Sequence, residues 1–283
     1  MGGRFSAFSF VDRITQVEPG VRARGSYHVP AQLAEFPAAL VAEAVGQLAA
    51  WASMAQLDFR RRPVAGLARE TRFLRDVKPG ETLTLEADLE SCTDDDVAYA
   101  GRATVGGAPV IVLEQCLGPM LPTEDFDAAD ALRRDYALLC REGAAADRFP
   151  GLPAFDIEPG ASVPGERVTA TLRVPRSAPF FEDHFPRRPV FPATLLLNSQ
   201  IRLALALARQ TLTPGTDGEL AAARLLDVKV RAFIAPGQVL EIGAERLAPR
   251  SNAPDAWTAR LSARAEGKPV ATARVEIAER SRA

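Results

Sequence analysis

The chain has 283 residues, 47% of them apolar, with 34 lysines and arginines against 36 aspartates and glutamates and a formal net charge of -2. That length suits two globular units of roughly 100 to 150 residues, each with a sizeable core, and the balanced charge gives no whole-chain attraction to nucleic acid or an anionic membrane. The three cysteines, Cys92, Cys116 and Cys140, are odd in number and outside any Cys-x-x-Cys or Cys/His ligand spacing, which argues for reduced thiols in a cytoplasmic protein and against a structural zinc.

The opening Met1-Gly2-Gly3-Arg4-Phe5-Ser6 has no long apolar segment and no small-residue cleavage site, so no secretory signal is expected. A leading strand runs up to Val29-Pro30. Phe36-Pro37 then starts an apolar helix, with the missing N–H and fixed φ of Pro37 suited to a first turn. Glu43 and Gln47 interrupt it one turn apart. An acid buried unpaired in such a helix costs several kcal/mol, so Glu43 calls for a task or a partner. Arg60-Arg61-Arg62 follow, and then three β-compatible runs, Leu83 to Leu89, Val97 to Val105 and Val110 to Leu117, bounded by Pro-Gly or Gly-Gly turns.

Between Thr123 and Pro150 the spacing of Leu132, Tyr136 and Leu139 predicts a helix over Ala128 to Arg141 with one apolar face and Gly143 as its stop. It is read as a surface connector with no chemical task. The loop from Phe180 to Ala193, which contains His184-Phe185-Pro186, leads into a second apolar helix over Thr194 to Ala208 that starts at Pro192. Three more strands are expected at Val239 to Leu247, Ala256 to Ala265 and Val270 to Ile277. Residues 36–55 and 191–208 are the nearest approach to membrane spans. Glu43 and Gln47 break the first, and Asn198, Gln200 and Arg202 the second, so both are expected to be buried helices wrapped by sheets, with no membrane partner.

The order of elements repeats. Pro19-Gly20-x-Arg22 recurs as Pro164-Gly165-x-Arg167, Phe36-Pro37 as Phe191-Pro192, Val77-Lys78-Pro79-Gly80 as Ile234-Ala235-Pro236-Gly237, and Gly107-Ala108-Pro109-Val110 as Gly267-Lys268-Pro269-Val270. The separation of these pairs rises steadily along the chain, as in a duplicated unit with insertions. Its largest rise falls between Pro30 and Phe36, where the first repeat lacks a counterpart of Phe180 to Pro189. The resulting division is an N-terminal repeat over 1–122, a helical connector over 123–150 and a C-terminal repeat over 151–283. His28 aligns with Arg173 on a preceding strand, or, after a one-residue shift, makes His28-Val29-Pro30 a relic of the His-Phe-Pro triplet.

The loop Phe180-Phe181-x-Asp183-His184-Phe185-Pro186-x-x-Pro189-Val190-Phe191-Pro192-Ala193 resembles that of the 3-hydroxyacyl-ACP dehydratases of fatty acid synthesis, the FabA/FabZ type. The opening Phe10-Val11-Asp12-Arg13 with Glu18-Pro19-Gly20, and Val77-Lys78-Pro79-Gly80-Glu81, resemble further parts of that family. The resemblance implies an α+β double hotdog, two repeats each with a long central helix wrapped by an antiparallel sheet. It also implies a histidine from one hotdog facing an acid from the other. In the family an acid follows the histidine by 14 positions and a glutamine follows the acid by four; here these positions are Asn198 and Arg202. Superposing the two Phe-Pro helix starts puts the missing pair at Glu43 and Gln47 of the first repeat. One complete site per chain is therefore expected. Arg187 and Ala193 replace family glycines, and Arg202 a glutamine.

Dehydration of a 3-hydroxyacyl thioester needs a base for the C2 proton, a donor to the thioester oxygen and an acid for the leaving hydroxyl. The expected roles are His184 as base, the Ala193 N–H as donor at a helix start, and Glu43 as an acid whose pKa burial can raise by up to about 3 to 5 units. Gln47 would orient Glu43 or a water, and Val190 and Phe181 would contact substrate. Arg61, Arg187 and Arg188 are candidate docking residues for an acyl carrier protein or its phosphopantetheine. No cofactor is expected, and a homo-oligomer is compatible. Two other readings stand: an acyl thioesterase on the same fold, and a non-catalytic acyl-binding protein.

Overall fold

The computed structural model describes residues 5, 7–215, 218–248 and 256–281, so of the opening hexapeptide only Phe5 lies within the described residues. In chain order the first half contains Arg13–Glu18 (β1), Arg22–His28 (β2), Ala38–Gln56 (α1), Arg61–Pro63 (β3), Leu67–Phe73 (β4), Thr82–Cys92 (β5), Asp96–Val105 (β6) and Ala108–Pro122 (β7). A 3-10 turn at Thr123–Asp125 leads to Ala129–Arg141 (α2). The second half contains Asp156–Val163 (β8), Arg167–Arg173 (β9), the single turn Phe180–Asp183 (α3), Ala193–Ala208 (α4), Gly218–Val230 (β10), Val239–Arg246 (β11), Trp257–Ala265 (β12) and Lys268–Ser281 (β13).

Among the described residues these strands form one antiparallel sheet in the order β1-β2-β5-β6-β7-β4-β10-β13-β12-β11-β9-β8, with β3 paired to β7. The order reads the same from both ends if β1 is matched to β8, β2 to β9, β5 to β11, β6 to β12, β7 to β13 and β4 to β10. Each half wraps its own helix, and the halves are joined where β4 pairs β10. The architecture is the double hotdog.

Both long helices start from a proline cap, Pro37 at φ -58° and Pro192 at φ -58°, one residue before the first helical position and not within it. Leu40, Val45 and Leu48 of α1 and Leu195, Ala204 and Leu207 of α4 are fully buried. By length and composition α1 could cross a membrane, but most of it is buried inside its sheet. Two glycines let α1 lie close to β6. A Cβ at Gly101 would fall 2.5 Å from a Val45 methyl carbon and 2.6 Å from the Glu86 carbonyl oxygen, and one at Gly46 would lie 3.2 Å from the Tyr99 hydroxyl oxygen. A mid-helix glycine costs about 1 kcal/mol relative to alanine; here it leaves room for the phenol.

Neither joining strand shows a clean apolar alternation in sequence: β4 carries Arg69, Glu70 and Arg72, and β10 mixes Arg224, Asp227 and Lys229 with consecutive apolar residues. Arg72 and Arg224 sit directly opposite each other across the junction, a like-charge pairing that is unfavourable alone. Carboxylates offset it: Arg72 pairs with Glu114 at 2.6 Å, and Arg224 with Glu70 at 2.9 Å and Glu276 at 3.2 Å.

The connector helix buries Leu132 and Leu139, and Tyr136 stacks on Trp51 at 6.2 Å. Gly143, at φ +84°, ends it with its N–H on the Leu138 carbonyl. The strand β2 ends at His28 opposite Thr82, and β9 ends at Arg173 opposite Val239, which matches His28 with Arg173 and not with His184. The link from β9 to α4, residues 174–192, is longer than the link from β2 to α1, residues 29–37, and the extra length carries α3 and His184.

Candidate active site

His184 caps the turn of α3, with its N–H on the Phe180 carbonyl, and the loop then doubles back so that the Val190 N–H meets the His184 carbonyl. The imidazole Nδ1 lies 2.9 Å from the Val190 carbonyl oxygen. A carbonyl can only accept, so Nδ1 carries the hydrogen and Nε2 is left with a free lone pair. The ring stacks on Phe185 at 4.2 Å and meets Phe8 edge-on at 5.5 Å. Burial pushes the imidazole below its ordinary value of 6.5, against the opposing pull of Glu43. The neutral, proton-accepting form is thereby favoured.

Glu43 comes from α1, in the other half. Its carboxylate is half-buried and not sealed in the core, and both oxygens have donors. Gln47 Nε2 donates to Oε1 at 3.1 Å, and the Thr194 hydroxyl, from the first turn of α4, donates to Oε2 at 2.8 Å. Gln47 does more than touch Glu43: its Nε2 also donates to the Phe8 carbonyl at 3.0 Å, and its Oε1 accepts the Phe10 N–H at 2.8 Å. Asp183 grips the same segment from the other side. Its Oδ2 accepts the N–H groups of Ala7 at 2.9 Å and Phe8 at 2.8 Å. The N-terminal segment is thus clamped between the residue before His184 and the residue one turn after Glu43.

His184, Glu43, Gln47, Val190, Ala193 and Thr194 all line one cavity of about 290 Å³. Along α1 its wall runs from Glu43 past Gly46 and Ala50 to Met54, about 16 Å at 1.5 Å per residue. Leu113 and Val228 line it from the two halves of the sheet, and Leu132 and Asp135 of α2 reach it too. The connector is therefore part of the cavity wall, not a detached surface helix. Pro192 supplies no side-chain cap to α4, so the first-turn N–H groups at Ala193 and Thr194 have no side-chain acceptor there. Phe181 does not belong to this wall. It is buried in the core against Phe180, with ring centroids 4.5 Å apart.

Tyr99 and Thr194 line the cavity without having been singled out from the sequence. Burial lifts the Tyr99 phenol well above its ordinary value, and the neighbouring Cys116 and Glu43 add to this. Burial likewise pushes the Cys116 thiol up to about 11. Both groups stay neutral near pH 7. No sequence signal marks Tyr99, one aromatic in an alternating strand, or Thr194, a hydroxyl in an apolar run.

Residues 161–267 match the ApeI-like family, described as ApeI dehydratase. The 3-hydroxyacyl-[acyl-carrier-protein] dehydratase FabZ of Gluconacetobacter diazotrophicus is 36% identical over 135 residues, which cover 46% of this chain and 78% of that relative. The FabZ of Bacillus subtilis is 35% identical over 119 residues, covering 38% of this chain and 84% of the relative. The chain belongs to the FabZ-type 3-hydroxyacyl-ACP dehydratase family. Its fold is shared with the dehydratase domain of the polyketide protein PpsC from Mycobacterium tuberculosis, with a TM-score of 0.54 and 14% identity over 95% of this chain and 98% of the other. It is shared as well with a putative oleoyl thioesterase from Lactobacillus plantarum, with a TM-score of 0.58 and 10% identity over 91% and 95%.

Two of the chain's departures, Arg187 and Arg202, and the neighbouring arginines have structural partners. Arg187, in place of a glycine, ion-pairs Glu124 ahead of the connector helix and donates its backbone N–H to the Phe126 carbonyl. Arg188 lies over Phe233 at 4.7 Å, and Arg62 over Phe185 at 4.0 Å. Arg61 is 3.8 Å from Asp94. On α4, Arg202 reaches the exposed Glu35, which lies just ahead of α1, at 3.4 Å. His28, with its Nδ1 3.0 Å from the Thr82 hydroxyl, is not part of the cavity wall.

Proposed function

We propose that the protein removes water from a 3-hydroxyacyl thioester, carried by an acyl carrier protein, to give the trans-2-enoyl thioester, in one site built from residues of both repeats. On this reading 1–122 and 151–283 are the two hotdog repeats and 123–150 is the connector. The observation that carries it is the convergence on one acyl-sized cavity of His184, with Nε2 bare, and Glu43, from the opposite repeat.

His184 Nε2 takes the C2 proton while the thioester oxygen, gaining negative charge, receives the Ala193 N–H at the start of α4. Donors of this kind contribute roughly 3 to 4 kcal/mol to catalysis. The C3–O bond breaks as Glu43 gives its proton to the departing hydroxyl, which leaves as water. The proton now on His184 returns to the Glu43 carboxylate, directly or through water, and resets the site. Val190 holds the imidazole in the required tautomer, and Gln47 holds the carboxyl. Arg61, Arg187 and Arg188 form the docking surface for the acidic carrier protein.

Incubation with a panel of 3-hydroxyacyl carrier-protein thioesters tests this. Loss of water with appearance of the enoyl thioester supports it; release of free acid and thiol would instead favour the hydrolase alternative, which has only likeness of fold behind it.

A further inference from the structure

The donors around the Glu43 carboxylate are not equivalent. Gln47 Oε1 faces the Phe10 N–H, which can only donate, and Gln47 Nε2 faces the Phe8 carbonyl, which can only accept. The orientation of the amide is therefore fixed by the backbone, and its remaining N–H is aimed at Glu43 Oε1 at 3.1 Å. Oε1 is held as an acceptor. A proton on this carboxyl is accommodated on Oε2, whose partner is the Thr194 hydroxyl at 2.8 Å. A hydroxyl can donate to a carboxylate and, after rotating, accept from a carboxylic acid, so it suits both protonation states.

We propose that Thr194 is a positioning residue: it holds the proton-bearing oxygen of Glu43 in place through both halves of the catalytic cycle. The inference rests on the dehydratase reading above, with Glu43 as the acid. The placement matches the asymmetry of the chain. When the two helix starts at Pro37 and Pro192 are superposed, Thr194 corresponds to Ala39 and Glu43 to Asn198. A hydroxyl faces the acid at the junction that keeps the acid, while the equivalent positions at the other junction are alanine and asparagine. Thr194 also joins the two halves, since it stands on α4 and Glu43 on α1.

The test compares kcat and KM for a 3-hydroxyacyl carrier-protein thioester in the unsubstituted protein, Thr194→Val, Thr194→Ser, Glu43→Gln and the Thr194→Val/Glu43→Gln pair. Thr194→Val should lower kcat on the order of 10- to 100-fold, the scale of a misplaced catalytic group, and leave KM unchanged. Thr194→Ser should restore most of the loss, and the double variant should be no worse than Glu43→Gln. Should the valine variant not fold, Thr194→Ala makes the same comparison with Thr194→Ser. Full activity in Thr194→Val, or an equal loss from it in both backgrounds, would overturn the inference while leaving the acid assignment standing. Full activity in Glu43→Gln would overturn the acid assignment, and the inference with it.

Discussion

The Nδ1 atom of His184 lies 2.9 Å from the carbonyl oxygen of Val190, six residues further along the same loop. This contact selects the tautomer and aims the bare Nε2, while burial holds the imidazole below its ordinary 6.5. Activity that needs the neutral ring therefore persists into mildly acidic solution and falls only as the pH drops through a value below 6.5. A pH profile of kcat/KM should show its acidic limb there. An acidic limb above pH 7 would contradict it. In His184→Ala the dehydration rate should fall by about 100- to 10,000-fold, with the fold retained.

The Asp183 carboxylate accepts two backbone N–H groups, from Ala7 and Phe8. Asp183→Ala leaves both donors without that acceptor, at a cost of about 1 to 3 kcal/mol for each that stays buried. Thermal unfolding should show the loss, and Asp183→Asn, which keeps one acceptor oxygen, should recover part of it. Equal stability of all three proteins would show that the clamp on the N-terminal segment contributes nothing.

Asp12 gives a separate pH signature. Burial raises its carboxyl from 3.8 to about 6, against the His28 N–H that it accepts at 2.6 Å. Between those values the folded protein binds the proton and the unfolded chain has lost it, so this residue makes stability fall as pH rises from about 4 to 6. Asp12→Asn removes that contribution while keeping an acceptor for His28. In a melting series the variant should gain stability relative to the unsubstituted protein as the pH rises from about 4 to 6; a difference that stays constant across this range would contradict the assignment.

Because His184 and Glu43 face one cavity within a single chain, a mixture of His184→Ala and Glu43→Gln proteins should stay as inactive as either alone. Recovery on mixing would mean that working sites form between chains instead.

Much of this arrangement is legible from local pattern. The His184 loop is a dense multi-residue motif, and the two long helices declare themselves through sustained apolar runs behind Pro37 and Pro192. Other parts depend on partners distant in sequence. The junction strands hide because Glu70, Arg72 and Arg224 look like surface charge until they meet across it. Gln47 is identifiable as a neighbour of Glu43, but its hold on the backbone of Phe8 and Phe10 is tertiary, and so is the hydroxyl of Thr194 on Glu43. Phe181, expected against substrate, turns into the core because α3 directs it there beside Phe180. Leu132 shows a buried helical face in the sequence, whereas its place in the cavity wall comes from how the connector packs against β1 and sets Tyr136 on Trp51 of α1.

The most direct measurement is formation of the enoyl thioester from a 3-hydroxyacyl carrier-protein substrate by the unsubstituted protein and by Glu43→Gln side by side. The account predicts product from the first and little or none from the second, with both folded. Undiminished product from Glu43→Gln would contradict the claim that the two repeats share one catalytic pair.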